Sequence, residues 1–397
     1  MKKLIFFSII FPFFFSFSTV FAQWQHVGLT SIPIFTLALK GDTIIAGGGG
    51  IYLSSNMAGS WDTIYNGIPT WIPTYNTSII TLAVSGNNFF AGTSNGYGVY
   101  LSSNSGANWT AVNTGLPGPP QINALAVSDS NIFAGALNGI FISSNNGNSW
   151  DSANAGINAL TNVRALAISG DTIFAGTGYN GIFMSSHNGN SWDSIGLPNS
   201  NIWALAKSGS NIFAGTWGYG IYRSTNNGIT WDSVNTGLSG GGYNINAFAI
   251  SGNKIFAGTE GEGVCLSLDN GSSWTPVNAG ITGPQLDIDA FAIIGDTIFA
   301  ADENNGVWMC PLKEIEGIKE INNNANNITV YPNPVTDNLQ IQTDVPIKEI
   351  EITDITGRLL YTTTATKTIN CSSFAKGVYF IKATTEKGIV VKKFVKE

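Results

Sequence analysis

One phrase recurs through most of this chain, and it is spelled most fully from Asn131 to Ser152: Asn-Ile-Phe-Ala-Gly-Ala-Leu-Asn-Gly-Ile-Phe-Ile-Ser-Ser-Asn-Asn-Gly-Asn-Ser-Trp-Asp-Ser. Its Ala-Gly core returns with Ala46, Ala91, Ala134, Ala175, Ala214, Ala257 and Ala300, the copies at Ala46 and Ala300 being degenerate. Successive copies lie 39 to 45 residues apart. A period of about 40 to 45 residues with several short strands per unit marks a β-propeller blade. Seven copies of one phrase are not chance, so function must be sought where the copies differ.

Each unit opens with a short alternating run such as Ile122-Asn123-Ala124-Leu125-Ala126-Val127, followed by a Ser-Gly or Gly-Asp turn. The Ile-Phe-Ala-Gly strand comes next, then a Gly-rich loop, a third strand and a fourth that starts at Trp. Small Ala side chains suit the crowded axis of a propeller, and Phe, Ile and Trp suit the widening gaps further out. The seventh unit stops after Gly306-Val307-Trp308-Met309 without a fourth strand, while Trp24-Gln25-His26-Val27-Gly28-Leu29 supplies one at the other end. The reading is therefore all-β: a seven-bladed β-propeller over residues 23–312, closed by its N-terminal strand, which removes an exposed edge.

Charged residues make up 11% of the chain, and Gly is abundant, as tight-turned β proteins require. Residues 23–311 carry five Lys or Arg (Lys40, Arg164, Lys207, Arg223, Lys254) against fifteen acids, a net of 5 − 15 = −10. That balance leaves no basic patch for phosphates, which argues against nucleic acid as a partner. Three Cys are too few for a disulfide framework. Cys265 and Cys310 fall on third strands of adjacent units, where a bridge is conceivable and buried thiols are the preferred reading.

Met1-Lys2-Lys3 and the apolar run Leu4–Phe15, ending in Val20-Phe21-Ala22, read as a secretory signal over residues 1–22. The competing reading, an uncleaved anchor, suits the short apolar core less well. No later stretch is long and apolar enough to span a bilayer, so the expected mature chain is soluble, exported and monomeric.

The link between third and fourth strands reads Ser-x-Asn-x-Gly-x-Ser-Trp (Ser143, Asn145, Gly147, Ser149, Trp150), with Asp269 or His187 in place of Asn in two copies. This link resembles the Asp-box, or BNR repeat, of sialidase-like and sortilin-like propellers. There a short acceptor caps turn N–H groups, Gly takes a positive φ and Trp packs between blades. These residues are structural, and so are Asp62, Asp151, Asp193 and Asp232, which follow the blade Trp.

After a polar linker, residues 313–327, the composition turns basic: residues 328–397 hold nine Lys or Arg and seven acids, a net of 9 − 7 = +2. Val330-Tyr331-Pro332-Asn333-Pro334, Ile352-Thr353-Asp354-Ile355-Thr356-Gly357-Arg358, Lys376-Gly377-Val378-Tyr379-Phe380-Ile381 and Val391-Lys392-Lys393 stand in order along it. The segment resembles the type A sorting domain of the type IX secretion system of Gram-negative bacteria. The resemblance implies a small Ig-like β-sandwich that engages the secretion machinery, with the cargo extracellular or fixed at the outer surface. An adhesive Ig-like module is the competing reading.

Two sets of varying residues point to the face where propellers meet ligands. The position before each Ala-Leu-Ala reads Phe35, Ile80, Asn123, Arg164, Trp203, Asn246 and Asp289, and the loops after Ala-Gly carry Tyr97, Tyr179, Trp217, Tyr219, Glu260 and Glu262. Arg164, Trp203, Asn246 and Asp289 come from four consecutive units and are expected to converge. With Tyr179, Trp217, Tyr219 and Glu260 they form the candidate ligand site, an aromatic platform beside hydrogen-bonding groups as a sugar ring requires. Residues that merely tolerate exposure would vary in the same way.

The arginine cluster of sialidases is absent, since the propeller has only Arg164 and Arg223, and two His leave no zinc site or catalytic triad. No catalytic residue, metal or cofactor is assigned. The expected function is recognition of an extracellular glycan or a surface protein. The alternative is a glycoside hydrolase using Asp289 with Glu260 or Glu262 as acid and base.

Overall fold

A computed structural model describes residues 24–69, 78–128, 130–158, 161–283, 285–315, 328–343, 345–354, 358–364, 367–385 and 388–397. The expected signal segment and all but the first three residues of the expected linker lie outside these. Two compact units separate, one of residues 22–315 and one containing residues 316–397.

In the first unit the described residues form seven four-stranded antiparallel sheets. Six are built from strands consecutive in sequence, as in Ile122–Ser128, Asn131–Ala136, Gly139–Ser143 and Asp151–Ser152. In the remaining sheet Gln25–His26 pairs with Gly306–Pro311, placing Gln25 opposite Met309 and His26 opposite Trp308. The first strand of each sheet packs against those of the sheets before and after it, and Ile34–Lys40 packs against Ile288–Ile294, so the cycle closes.

The repeated phrase explains this packing. In each sheet the Ile-Phe-Ala-Gly strand is buried on both faces, because neighbouring sheets cover it from either side. The Trp that opens the fourth strand crosses the gap between sheets. Trp61, Trp109, Trp150, Trp192, Trp231 and Trp274 each donate their indole Nε1 proton to a carbonyl three residues after the preceding sheet's Trp: Val27, Ile64, Val112, Ala153, Ile195 and Val234. Trp24 Nε1 donates to Val277 O at 2.7 Å and completes the circuit. Thus a buried indole, which must find an acceptor, is satisfied in every gap.

The Ser-x-Asn-x-Gly-x-Ser-Trp link caps itself. Ser143 Oγ accepts from Gly147 N at 2.8 Å, and Asn145 Oδ1 accepts from Ser149 N at 2.9 Å. Asp269 performs the Asn role, with its carboxylate accepting from Ser272 N and Ser273 N. His187 does not: its ring contacts Ser186 Oγ, and the caps that remain are the bonds from Gly189 N and His187 N to Ser185 Oγ. The turn after the fourth strand holds a Gly pressed against the next sheet's Trp. At Gly156, φ is +94° and an added Cβ would lie 2.1 Å from Trp192 O, so no other residue fits there.

Leu312 and Ile315 are buried with Trp24 and Trp308, so the core of this unit continues past residue 312. Cys265 and Cys310 are separate, buried thiols, each pushed up to about 12 by burial.

The second unit has two sheets, one of Thr329–Tyr331, Asn338–Gln342 and Thr368–Asn370, the other of Leu359–Thr363, Ile347–Asp354, Gly377–Thr385 and Gly388–Lys396. Alternating Ile, Val and Leu from both enclose one core, including Leu339, Ile341, Ile350, Ile352, Ile381 and Phe394.

Candidate functional site

The first strand of every sheet in the ring carries a β-bulge at one repeat position. Register shifts fall between Ile34 and Thr36, Ile79 and Thr81, Ile122 and Ala124, Val163 and Ala165, Ile202 and Ala204, Ile245 and Ala247, and Ile288 and Ala290. The extra residues are Phe35, Ile80, Asn123, Arg164, Trp203, Asn246 and Asp289. A bulge leaves its residue out of the ladder and re-aims its side chain. All seven, together with Gln121, line one cavity of about 260 Å³.

The cavity wall has two chemistries. On one side the Arg164 guanidinium lies over the Trp203 ring, 4.4 Å from its centroid, a cation–π contact. Trp203 also stacks on Trp217, with centroids 4.9 Å apart and planes at 29°. Burial holds the Arg164 guanidinium below its ordinary value, an effect that Tyr179 partly opposes. On the other side Asn246 Nδ2 donates to Asp289 Oδ1 at 3.0 Å. Burial, and then the charges of Glu303, Asp287, Asp302 and Glu260, push the Asp289 carboxyl well above the usual carboxylate range.

Four of these lining side chains carry buried polar atoms with no hydrogen-bond partner: Arg164 Nε, Trp203 Nε1, Asn246 Oδ1 and Asp289 Oδ2. The two donors sit on neighbouring sheets and the two acceptors on the next two. Buried polar atoms without partners are uncommon, and their coincidence at one cavity marks a place prepared for something else. The remaining polar lining groups are satisfied: Asn123 Nδ2 donates to Asn162 Oδ1 and Val163 O, and Gln121 Nε2 donates to Asn123 Oδ1.

The candidate residues of the loops after the second strands, Tyr179, Trp217, Tyr219 and Glu260, do not line the cavity, although Trp217 stacks on Trp203, which does. Buried Thr177, Thr216 and Thr259 close these loops through hydroxyl bonds to Gly181 O, Gly220 O and Gly263 O. They leave Tyr179, Trp217 and Tyr219 exposed, with Tyr219 at 62%. Glu260 Oε2 accepts from Asn244 Nδ2, and Glu260 is among the charges felt by Asp289. Glu262 is engaged elsewhere, accepting from Ser239 N and Ser239 Oγ, and is not among the groups that shift Asp289. Of the two acids paired with Asp289 from sequence, Glu260 is the one whose charge acts on it.

Sequence reasoning overlooked Asp287, Asp302 and Glu303. In the last repeat Ala301-Asp302 replaces Gly-Thr, and Asp302 takes over loop closure by accepting from Asn304 N and Asn305 N. That departure from the repeat was the available signal.

Residues 329–397 match the family described as a secretion system C-terminal sorting domain, and residues 82–211 match a DUF6242 β-propeller domain. No curated protein matches the chain. Solved structures share the fold at low identity. The extracellular domain of the putative one component system BT4673 from B. thetaiotaomicron superposes with TM-score 0.59 at 15% identity, covering 93% of this chain and 52% of that one. YCF48 bound to D1 peptide gives 0.58 at 13%, covering 74% and 98%. The GH74 xyloglucanase from Xanthomonas campestris gives 0.57 at 16%, covering 82% and 60%. The chain thus spans about half of the first protein and three fifths of the third. It carries a β-propeller domain and a type IX sorting domain, and the latter marks it for export to the cell surface or the extracellular space. Among the described residues no helix is long and apolar enough to cross a membrane.

Proposed function

We propose that this protein is an exported recognition module that holds an extracellular carbohydrate at the mouth of its central channel. In this reading residues 23–312 are a seven-bladed Asp-box propeller closed by the N-terminal strand. Residues 328–397 are an Ig-like sandwich read by the secretion machinery, and a cleaved signal over residues 1–22 starts the route. The observation that carries the binding reading is the set of seven bulged residues around one cavity, four of them with unpartnered polar atoms. The exposed ring of Trp217, propped on Trp203, suits the apolar face of a sugar, and Arg164, Asn246 and Asp289 suit its hydroxyls.

The test is a glycan and polysaccharide array probed with the full mature chain and with Trp203→Ala and Trp217→Ala, with reducing-end release assayed on every hit. Binding that disappears in both variants supports the reading. A blank array sends the search to a protein partner, the kind of ligand named for YCF48.

A second reading, glycoside hydrolysis, draws on Asp289, whose raised carboxyl would serve as a general acid with Glu260 as its counterpart. It requires released sugar that vanishes in Asp289→Asn and Glu260→Gln.

A further inference from the structure

One wall of the cavity has more negative charge than the protein neutralises. Asp289 stands among Glu303, Asp287, Asp302 and Glu260, which act on one another as like charges. Among the described residues none of the five forms an ion pair with a Lys or Arg. Asp302 spends its carboxylate on Asn304 N and Asn305 N, and Asp287 accepts from Asn304 Nδ2 through one oxygen while the other is buried without a partner. A cluster of this kind at the edge of a cavity is electrostatically complementary to a cation. Arg164, the cavity's own cation, belongs to a sheet separated from that of Asp289 by two others, and it is engaged with Trp203.

The unpartnered atoms divide in the same sense. Arg164 Nε and Trp203 Nε1 need acceptors; Asn246 Oδ1 and Asp289 Oδ2 need donors. A ligand that satisfies both halves presents oxygens to one side and a charged or hydrogen-bearing nitrogen to the other. The volume of about 260 Å³ lies just below the usual range for ligand pockets, about 300–1,000 Å³, and suits a single ring.

We propose, building on the carbohydrate reading above, that the cavity takes a sugar unit with a free amine, its ammonium group against Asp289 and its hydroxyl oxygens against Arg164 and Trp203. The exposed face of Trp217, held by its stack on Trp203, covers the apolar face of the same unit. Acetylation of the amine removes the charge and adds bulk, so the site distinguishes deacetylated from acetylated amino sugars.

The experiment is calorimetric titration of the full mature chain with a β-1,4-linked glucosamine tetramer, its N-acetylated counterpart and a β-1,4-linked glucose tetramer. It is run at about pH 6, where a sugar amine is charged and, once bound, favours the ionised form of Asp289. The glucosamine tetramer is expected to bind about tenfold or more tightly than the other two, and Asp289→Asn is expected to erase that preference. Circular dichroism melting of the variant verifies that it is folded. Charge-independent binding of all three tetramers overturns the amine assignment and leaves the carbohydrate reading standing. Failure of all three to bind, with an array also blank, overturns both.

Discussion

Asn246 Nδ2 donates to Asp289 Oδ1 at 3.0 Å, so the side chains at one repeat position of two adjacent blades touch across the channel mouth. Asn246 Oδ1 and Asp289 Oδ2 have no partner. Asn246 Oδ1 and ionised Asp289 Oδ2 are both acceptors, so one donor or cation between them serves the pair. Burial and the neighbouring acids, not this bond, raise the Asp289 carboxyl.

Stability should therefore fall as pH rises. Asp289, Asp302 and Glu303 all have carboxyls raised chiefly by burial, so the native state holds more protons than the unfolded chain above the ordinary carboxylate range. Their penalty is absent below the unfolded values and complete once pH exceeds the folded ones. Asp289→Asn is expected to raise the melting temperature at pH 7 and to flatten its decline between pH 5 and 8. Thermal melts across that range test this, and an unchanged slope in the variant would contradict it. Asp269 acts with the opposite sign: burial raises its carboxyl, but bonds from Ser273, Ser267 and Ser272 outweigh this and lower it, so its contribution is lost as pH falls.

Ring closure depends on Trp24. It is 2% exposed, and its indole bond to Val277 joins the first described residue to the end of the sheet that begins with Ile245–Ser251. Trp24→Ala is expected to destabilise the propeller by about 3–5 kcal/mol, the range for truncating a buried Trp. Trp24→Phe keeps most of the burial and should cost about 1–3 kcal/mol, the cost of orphaning a buried polar group. Urea unfolding of both variants measures the difference. Equal, small losses would mean that the ends of the ring are held by something other than this residue.

Gly156→Ala should be among the most disruptive single-methyl additions in the chain. The left-handed conformation alone costs about 1–2 kcal/mol for an L-residue, and the new Cβ meets Trp192 O. Gly170→Ala has a positive φ as well but open space around it, so it is expected to lose only the conformational term. Comparing their melting temperatures separates strain from collision.

The fold was legible because the repeat is spelled out in short-range chemistry. The Ile-Phe-Ala-Gly phrase specifies a strand buried on both faces, and the Ser-x-Asn-x-Gly link carries its own capping bonds. The channel-mouth residues were legible for the same reason, since one repeat position gave Phe35, Ile80, Asn123, Arg164, Trp203, Asn246 and Asp289, the residues that line the cavity. The bulge that turns them inward was not legible, because it is a register shift between strands and leaves no residue signature. Glu262 looked equivalent to Glu260 by loop position, yet the course of its loop ties it to Ser239. Asp287, Asp302 and Glu303 were missed because they stand outside the aligned position, and only the fold brings their charges to Asp289.

The most direct test of the account is calorimetric titration of an array-selected sugar into the full mature chain, compared with Trp203→Ala. The account predicts that the substitution weakens binding by about tenfold or more while the β spectrum and cooperative melting persist, since Trp203 faces the cavity and not the core. Undiminished affinity in a folded Trp203→Ala variant would contradict it and move the recognition surface away from the channel mouth.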